Sequence, residues 1–131
     1  MSEAEACVVD ASVLVDLATL RVGWRHVAAA LAGRPLHAPA HVDVEVMSAI
    51  ARMRRAENLT AVMADAALNR FATAPIHRHE LPPLVSGAWG RLDRLRVADA
   101  VYVELASRLG MRVLTSDARM ARASDLAVLV E

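Results

Sequence analysis

The chain has 131 residues, 56% apolar by side chain but only 3% aromatic, and its 15 basic residues balance 15 acidic ones. That length suits one domain, residues 1–131, with a real core, and the neutral total charge points to no particular partner. No stretch approaches the roughly 18–20 unbroken apolar residues of a membrane helix.

The acidic start Met1-Ser-Glu-Ala-Glu-Ala-Cys7 lacks the basic segment of a secretory leader. A lone Cys7 in an apolar run reads as a packing residue and agrees with a reducing, cytoplasmic setting. Every basic residue is Arg and none is Lys. GC-rich coding accounts for that bias together with the abundant Ala and Val; the functional alternative is that Arg suits bidentate phosphate contacts.

Taken in chain order, Ala6-Cys-Val-Val9 is a short apolar run ending at Asp10 and reads as a buried strand. Helical pattern runs from Ala11 to about Leu20 and from Gly23 to about Ala32, with Gly33-Arg-Pro35 as the stop. Leu36-His-Ala38 reads as a strand closed by Pro39. A helix from about His41 to Arg55 carries an apolar stripe of Val42, Val46, Ala49, Ile50 and Met53. Thr60 caps a further helix to about Ala72. Pro75-Ile-His-Arg78 is a strand, and Pro82-Pro83 starts a helix towards Leu92.

Ala98 to Leu109 repeats the helical stripe and ends at Gly110. Arg112–Thr115 is a strand, Asp117–Ala123 a short helix and Leu126–Val130 a last strand. Strands alternating with helices imply right-handed crossovers and a parallel sheet with helices on both faces. In such sheets, sites form beyond the carboxyl ends of strands, and Asp10 and Asp117 each follow a strand directly.

Each acid also has an ordinary structural use. Asp10 and Asp117 can cap helices, and Asp99 in a first turn gains about 0.3–1 kcal/mol from the helix dipole. Glu45 and Asp43 flank opposite sides of their helix's apolar stripe, about 200° apart at 3.6 residues per turn, so spacing does not choose between them.

Four strings in order carry more weight: Val8-Val-Asp-Ala-Ser-Val-Leu-Val-Asp16, His37 to Ile50 with Pro39 and Glu45-Val-Met-Ser-Ala-Ile50, Ala98-Asp-Ala-Val-Tyr-Val-Glu-Leu-Ala106, and Gly110 to Ala121 with Leu114-Thr-Ser-Asp-Ala-Arg-Met-Ala121. Together they resemble the signature of PIN-domain ribonucleases, in particular the VapC toxins of type II toxin–antitoxin pairs. The resemblance covers nearly the whole chain. It implies an α/β fold, a three-layer α/β/α sandwich around a mostly parallel sheet of four or five strands.

The resemblance also implies that Asp10, Glu45, Asp99 and Asp117 converge as the catalytic acids. Asp10 and Asp99 are then the direct metal ligands, with Glu45 and Asp117 completing the cluster, and Ser12 and Thr115 hold carboxylates in place. Clustered carboxylates repel unless a cation neutralises them, and hard oxygen donors suit Mg²⁺ or Mn²⁺. The expected activity is an endoribonuclease: in-line hydrolysis of RNA phosphodiesters by metal-activated water, leaving 5′-phosphate and 3′-hydroxyl ends. A homodimer, and a VapB-type antitoxin whose tail covers the acidic pocket, are implied as well.

The chain departs from the pattern at Leu92-Asp-Arg-Leu-Arg-Val-Ala-Asp99, where Arg94, Arg96 and Ala98 replace Asn, a small hydroxyl residue and Tyr. Arg94 and Arg96 are candidate contacts to RNA phosphates, and Asp93 is a pocket-rim candidate or a surface acid. Arg52-Met-Arg-Arg55 and Arg119 with Arg122 read as solvated helix faces. The five His residues show no metal-ligand spacing, and His77-Arg-His79 alternates as a strand edge would. Tyr102 and Trp89 read as core, with dimer packing as the other use of Trp89.

Two other classes compete. Phosphoacceptor receivers and haloacid-dehalogenase phosphatases also place an acid after the first strand, but they rely on a Lys, which this chain lacks. A PIN-like module that binds RNA or a partner without cutting is the alternative to a nuclease.

Overall fold

In the computed structural model residues 5–130 are described, so only the first four residues of the acidic start, and the last residue of the chain, lie outside them. Five strands form one sheet: β1 (Cys7–Val9), β2 (Leu36–Pro39), β3 (Ile76–His79), β4 (Val113–Thr115) and β5 (Ala127–Leu129). Their order is β3-β2-β1-β4-β5 and every pairing is parallel. The strands are short, but central β1 and β4 are buried throughout, as expected when both faces of a parallel sheet are covered.

Helices α1 (Ala11–Thr19), α2 (Trp24–Leu31), α3 (Val42–Arg55) and α4 (Ala61–Ala72) carry the chain from β1 through β2 to β3. Helices α5 (Val85–Trp89), α6 (Val97–Leu109) and α7 (Ala118–Ala123) accompany the return through β4 to β5. The two halves travel across the sheet in opposite directions, so right-handed crossovers place them on opposite faces. Accordingly α1 packs on α3 and α4, whereas α6 packs on β1, β2 and β4.

The expected boundaries hold closely, for local reasons. The Thr60 hydroxyl accepts the Met63 N–H at 3.1 Å, capping α4. Gly110 ends α6 in the left-handed conformation (φ 67°). In α3, Val42, Val46 and Ile50 are buried, with Ala49 and Met53 packed against the core.

Two expectations change. The segment after Pro82 is a single 3-10 turn, Pro82–Leu84, followed by α5, which stops at Trp89 instead of reaching Leu92. Trp89 is 72% exposed rather than core, because so short a helix offers one buried position, Ala88. Among the described residues no helix is long and apolar enough to cross a membrane.

Candidate active site

β1 and β4 are neighbours at the centre of the sheet, but the chain leaves them towards opposite edges. Such a divergence opens a crevice beyond their carboxyl ends. Asp10 follows β1 there, and Ser116 and Asp117 follow β4. Both acids also cap helices: Asp10 accepts from the Val13 N–H and Asp117 from the Arg119 N–H.

Asp10 is 5% exposed, and its bonds fix the carboxylate. Ser12 donates to Oδ1 at 2.6 Å, and Thr115 donates to Oδ2 at 2.6 Å. The two hydroxyls in turn accept backbone N–H groups from the β4 loop, Ser116 to Ser12 at 2.9 Å and Asp117 to Thr115 at 3.0 Å. Burial nevertheless pushes the Asp10 carboxyl up to about 6, against those donated bonds and with the nearby Asp99 charge adding to the rise.

Three further acids reach the same crevice. Glu45 projects from α3, and Tyr102 on α6 donates its hydroxyl to Glu45 Oε1 at 2.6 Å. The Tyr102 phenol is itself raised far above its ordinary value, by burial first and then by Glu45, so it acts as a fixed donor. His41 Nε2 lies 3.3 Å from the same oxygen, its ring tilted against Tyr102. Asp99, in the first turn of α6, is raised by burial and by Asp117 and Glu45, with Arg119 opposing. Asp117 is held below its ordinary value because bonds and charge from Arg119 outweigh burial.

Arg119 bridges the last two acids, 2.8 Å from Asp117 and 3.4 Å from Asp99. It is exposed, as a solvated helix face predicts, and it also lines the pocket. Arg52, expected to be solvated for the same reason, lines the cavity as well. Asp43 points away and pairs with Arg78 at 2.7 Å, so tertiary packing separates it from Glu45.

Asp10, Glu45, Asp99 and Asp117 thus line one open cavity of about 490 Å³, together with Ser12 and Arg96. Thr115 reaches it through Asp10. Arg94 does not line this cavity; it borders a small adjoining one with Arg96, Asp99 and Arg119. Asp93 is exposed and is not among the lining residues.

The donors are hard carboxylate oxygens, which fit an oxygen-seeking divalent ion. The buried Ser116 hydroxyl, on the cavity wall, has no hydrogen-bond partner in the protein, which suits a polar occupant. Sequence reading missed the parts played by Tyr102, His41 and Arg119. An aromatic in a helical stripe looks like core, and only the fold shows that its hydroxyl meets Glu45.

The family model described as PIN domain matches residues 7–126. The chain is 50% identical over 123 residues to the ribonuclease VapC3 of Mycobacterium tuberculosis, covering 93% of this chain and 90% of that protein. Among solved structures, PAE2754 from Pyrobaculum aerophilum superposes with a TM-score of 0.72 at 23% identity, covering 95% of this chain and 83% of the other. A toxin–antitoxin complex from Klebsiella pneumoniae matches with a TM-score of 0.68 at 16% identity, over 96% of this chain and 98% of its own. A match over nearly the full length at 50% identity, on a parallel sheet with acids at its central crevice, makes this chain a member of the PIN-domain family, in its VapC branch.

Proposed function

We propose that the protein is an endoribonuclease, the toxin of a type II toxin–antitoxin pair, working with Mg²⁺ or Mn²⁺ as one PIN domain over residues 1–131. The observation that carries this reading is the meeting of Asp10, Glu45, Asp99 and Asp117, from four separate segments, on one cavity. Identity to a relative named as a ribonuclease supports it.

In this reading Asp10 and Asp99 hold the divalent ion, with Glu45 and Asp117 completing the cluster. The bound ion supplies positive charge at the phosphodiester and lowers the pKa of water there. Ser12 and Thr115 keep the Asp10 oxygens aimed, as the supporting hydrogen bonds of a metal ligand do. Tyr102 does the same for Glu45.

Arg96 and Arg119, on the cavity wall, take phosphate oxygens of the RNA. Water attacks phosphorus in line with the bond to the 3′ oxygen. The water's proton passes to a pocket carboxylate, and the departing 3′ oxygen takes one from solvent. The products carry a 5′-phosphate and a 3′-hydroxyl.

A homodimer, a VapB-type antitoxin covering the acidic pocket, and a cytoplasmic location complete the proposal. The fold shared with a toxin–antitoxin complex supports the antitoxin. Sequencing the RNA ends made when the protein is produced without its partner tests the chemistry. Ends bearing 2′,3′-cyclic phosphate contradict it, since that route uses the ribose hydroxyl. Cutting that survives EDTA or Asp10→Asn contradicts the metal mechanism. Wild-type protein that binds RNA in Mn²⁺ without cutting it favours a binding module instead.

A further inference from the structure

Away from the acidic pocket, the sheet brings together three imidazoles that the linear sequence keeps apart. His37 lies on β2, and His77 and His79 lie on the edge strand β3. The parallel register sets His37 beside His77 and Pro39 beside His79. Side chains alternate along a strand, so His77 and His79 share a face, and the register puts His37 on it too. The opposite face carries Arg78, which pairs with Asp43 and lies over the Phe71 ring.

The rings meet closely. His77 and His79 stack at 4.4 Å between centroids, and His37 lies 5.1 Å from each. His37 Nδ1 and His79 Nε2 are 2.9 Å apart. One nitrogen from each of the three residues lies within 4.8 Å of the others, and among the described residues this trio alone forms such a group.

We propose that His37, His77 and His79 form a site for one zinc-class transition-metal ion, separate from the acidic pocket and different in donor chemistry. An ion about 2.0–2.1 Å from each nitrogen sets tetrahedral ligand atoms roughly 3.3 Å apart. His37 Nδ1 and His79 Nε2, 2.9 Å apart, already lie inside that value, and all three nitrogens lie within 4.8 Å of one another, so ring rotations can close the site around an ion. The ion replaces the single N–H···N contact with three bonds.

Imidazole nitrogen suits Zn²⁺, Co²⁺ or Ni²⁺, whereas Mg²⁺ prefers oxygen. Burial, followed by the neighbouring His77, holds His37 and His79 below the ordinary histidine range, which favours the neutral, ligating form. His77 is exposed at the sheet edge, which gives the ion an entry route and leaves a coordination position for water. A bound ion ties the edge strand to β2.

The test is calorimetric titration of Zn²⁺ into the tag-free full-length chain, with excess Mg²⁺ present to occupy the acidic pocket. One ion per chain is expected, with a rise in melting temperature. Asp10→Asn protein should bind Zn²⁺ as the wild type does. His77→Ala, a change at an exposed position, should weaken binding by more than the about 10–100-fold that even outer partners of a metal ligand are worth. Co²⁺ in place of Zn²⁺ should give an intense visible spectrum that His37→Ala abolishes. No Zn²⁺ binding by the wild type, or equal binding by His77→Ala, overturns the proposal.

Discussion

Thr115 donates its hydroxyl to Asp10 Oδ2 at 2.6 Å, joining residues 105 positions apart in the chain. Its own Oγ1 accepts the Asp117 N–H at 3.0 Å, so one side chain sets the positions of two pocket acids. Thr115→Val keeps the volume but removes the donor. Cleavage should fall about 10–100-fold while circular dichroism stays unchanged, and Thr115→Ser should recover most of it. Wild-type rates in the Val variant would show that Asp10 needs no such support.

Metal-free stability should fall as pH rises through the Asp10 titration. The folded carboxyl sits at about 6 against an ordinary 3.8, so in that interval the folded state holds a proton that the unfolded state has released. The favourable contribution is complete below about 4 and lost by the time pH has passed through about 6, a span worth roughly 3 kcal/mol. Asp10→Asn should flatten this slope, raise the melting temperature at neutral pH in EDTA, and abolish cleavage. Denaturant titrations across the interval check it, and a slope of opposite sign refutes it.

Arg119 supplies positive charge between Asp99 and Asp117, where the proposed metal also brings charge. Arg119→Ala should therefore tighten Mn²⁺ binding measured without RNA and weaken RNA binding measured without metal. Weaker Mn²⁺ binding in the variant would mean that Arg119 assists the ion rather than competing with it.

Glu104 is a buried acid outside the pocket, bonded to Arg108 at 2.7 Å and Arg91 at 3.0 Å. Its carboxylate fills the space where a side chain at position 87 would begin, so an added Cβ there forces the Glu104 carboxylate to shift away from its Arg partners. Gly87→Ala should cost about 1–3 kcal/mol in denaturant unfolding. Burial tends to raise the Glu104 carboxyl, but Arg108 and Arg91 hold it below its ordinary 4.5. The stability it contributes is present above that ordinary value and lost as pH falls through the lower folded one. Glu104→Gln should remove that part of the acid unfolding limb.

Arg96 lines the acidic cavity and Arg94 only its neighbour. If both meet RNA phosphates, the double Ala variant should flatten the salt dependence of binding, by about 0.7 in log–log slope for each single-strand phosphate no longer neutralised. Arg96→Ala should account for most of the change. An unchanged slope would remove both residues from the RNA path.

Much of the fold was legible because its signals are local. Short apolar runs, helical stripes, the Thr60 cap and the Gly110 stop place the strands and most helix ends without reference to distant residues. The acids that follow β1 and β4 were legible for the same reason, since parallel sheets open at strand ends. Spacing left Asp43 and Glu45 equal, and the family resemblance favoured Glu45.

Other features depend on which faces meet, and no short window of residues contains that information. Tyr102 on α6 reaches Glu45 on α3 with its hydroxyl, while Arg78 on β3 takes Asp43. Trp89 looked like core by residue type, but a five-residue helix leaves it at the surface. The three histidines showed no ligand spacing along the chain, because the parallel pairing of β2 with β3 supplies the contact. The sequence by itself determined the elements and the chemistry carried at their ends; strand register and helix packing, which act between residues far apart in the chain, decided which side chains share a site.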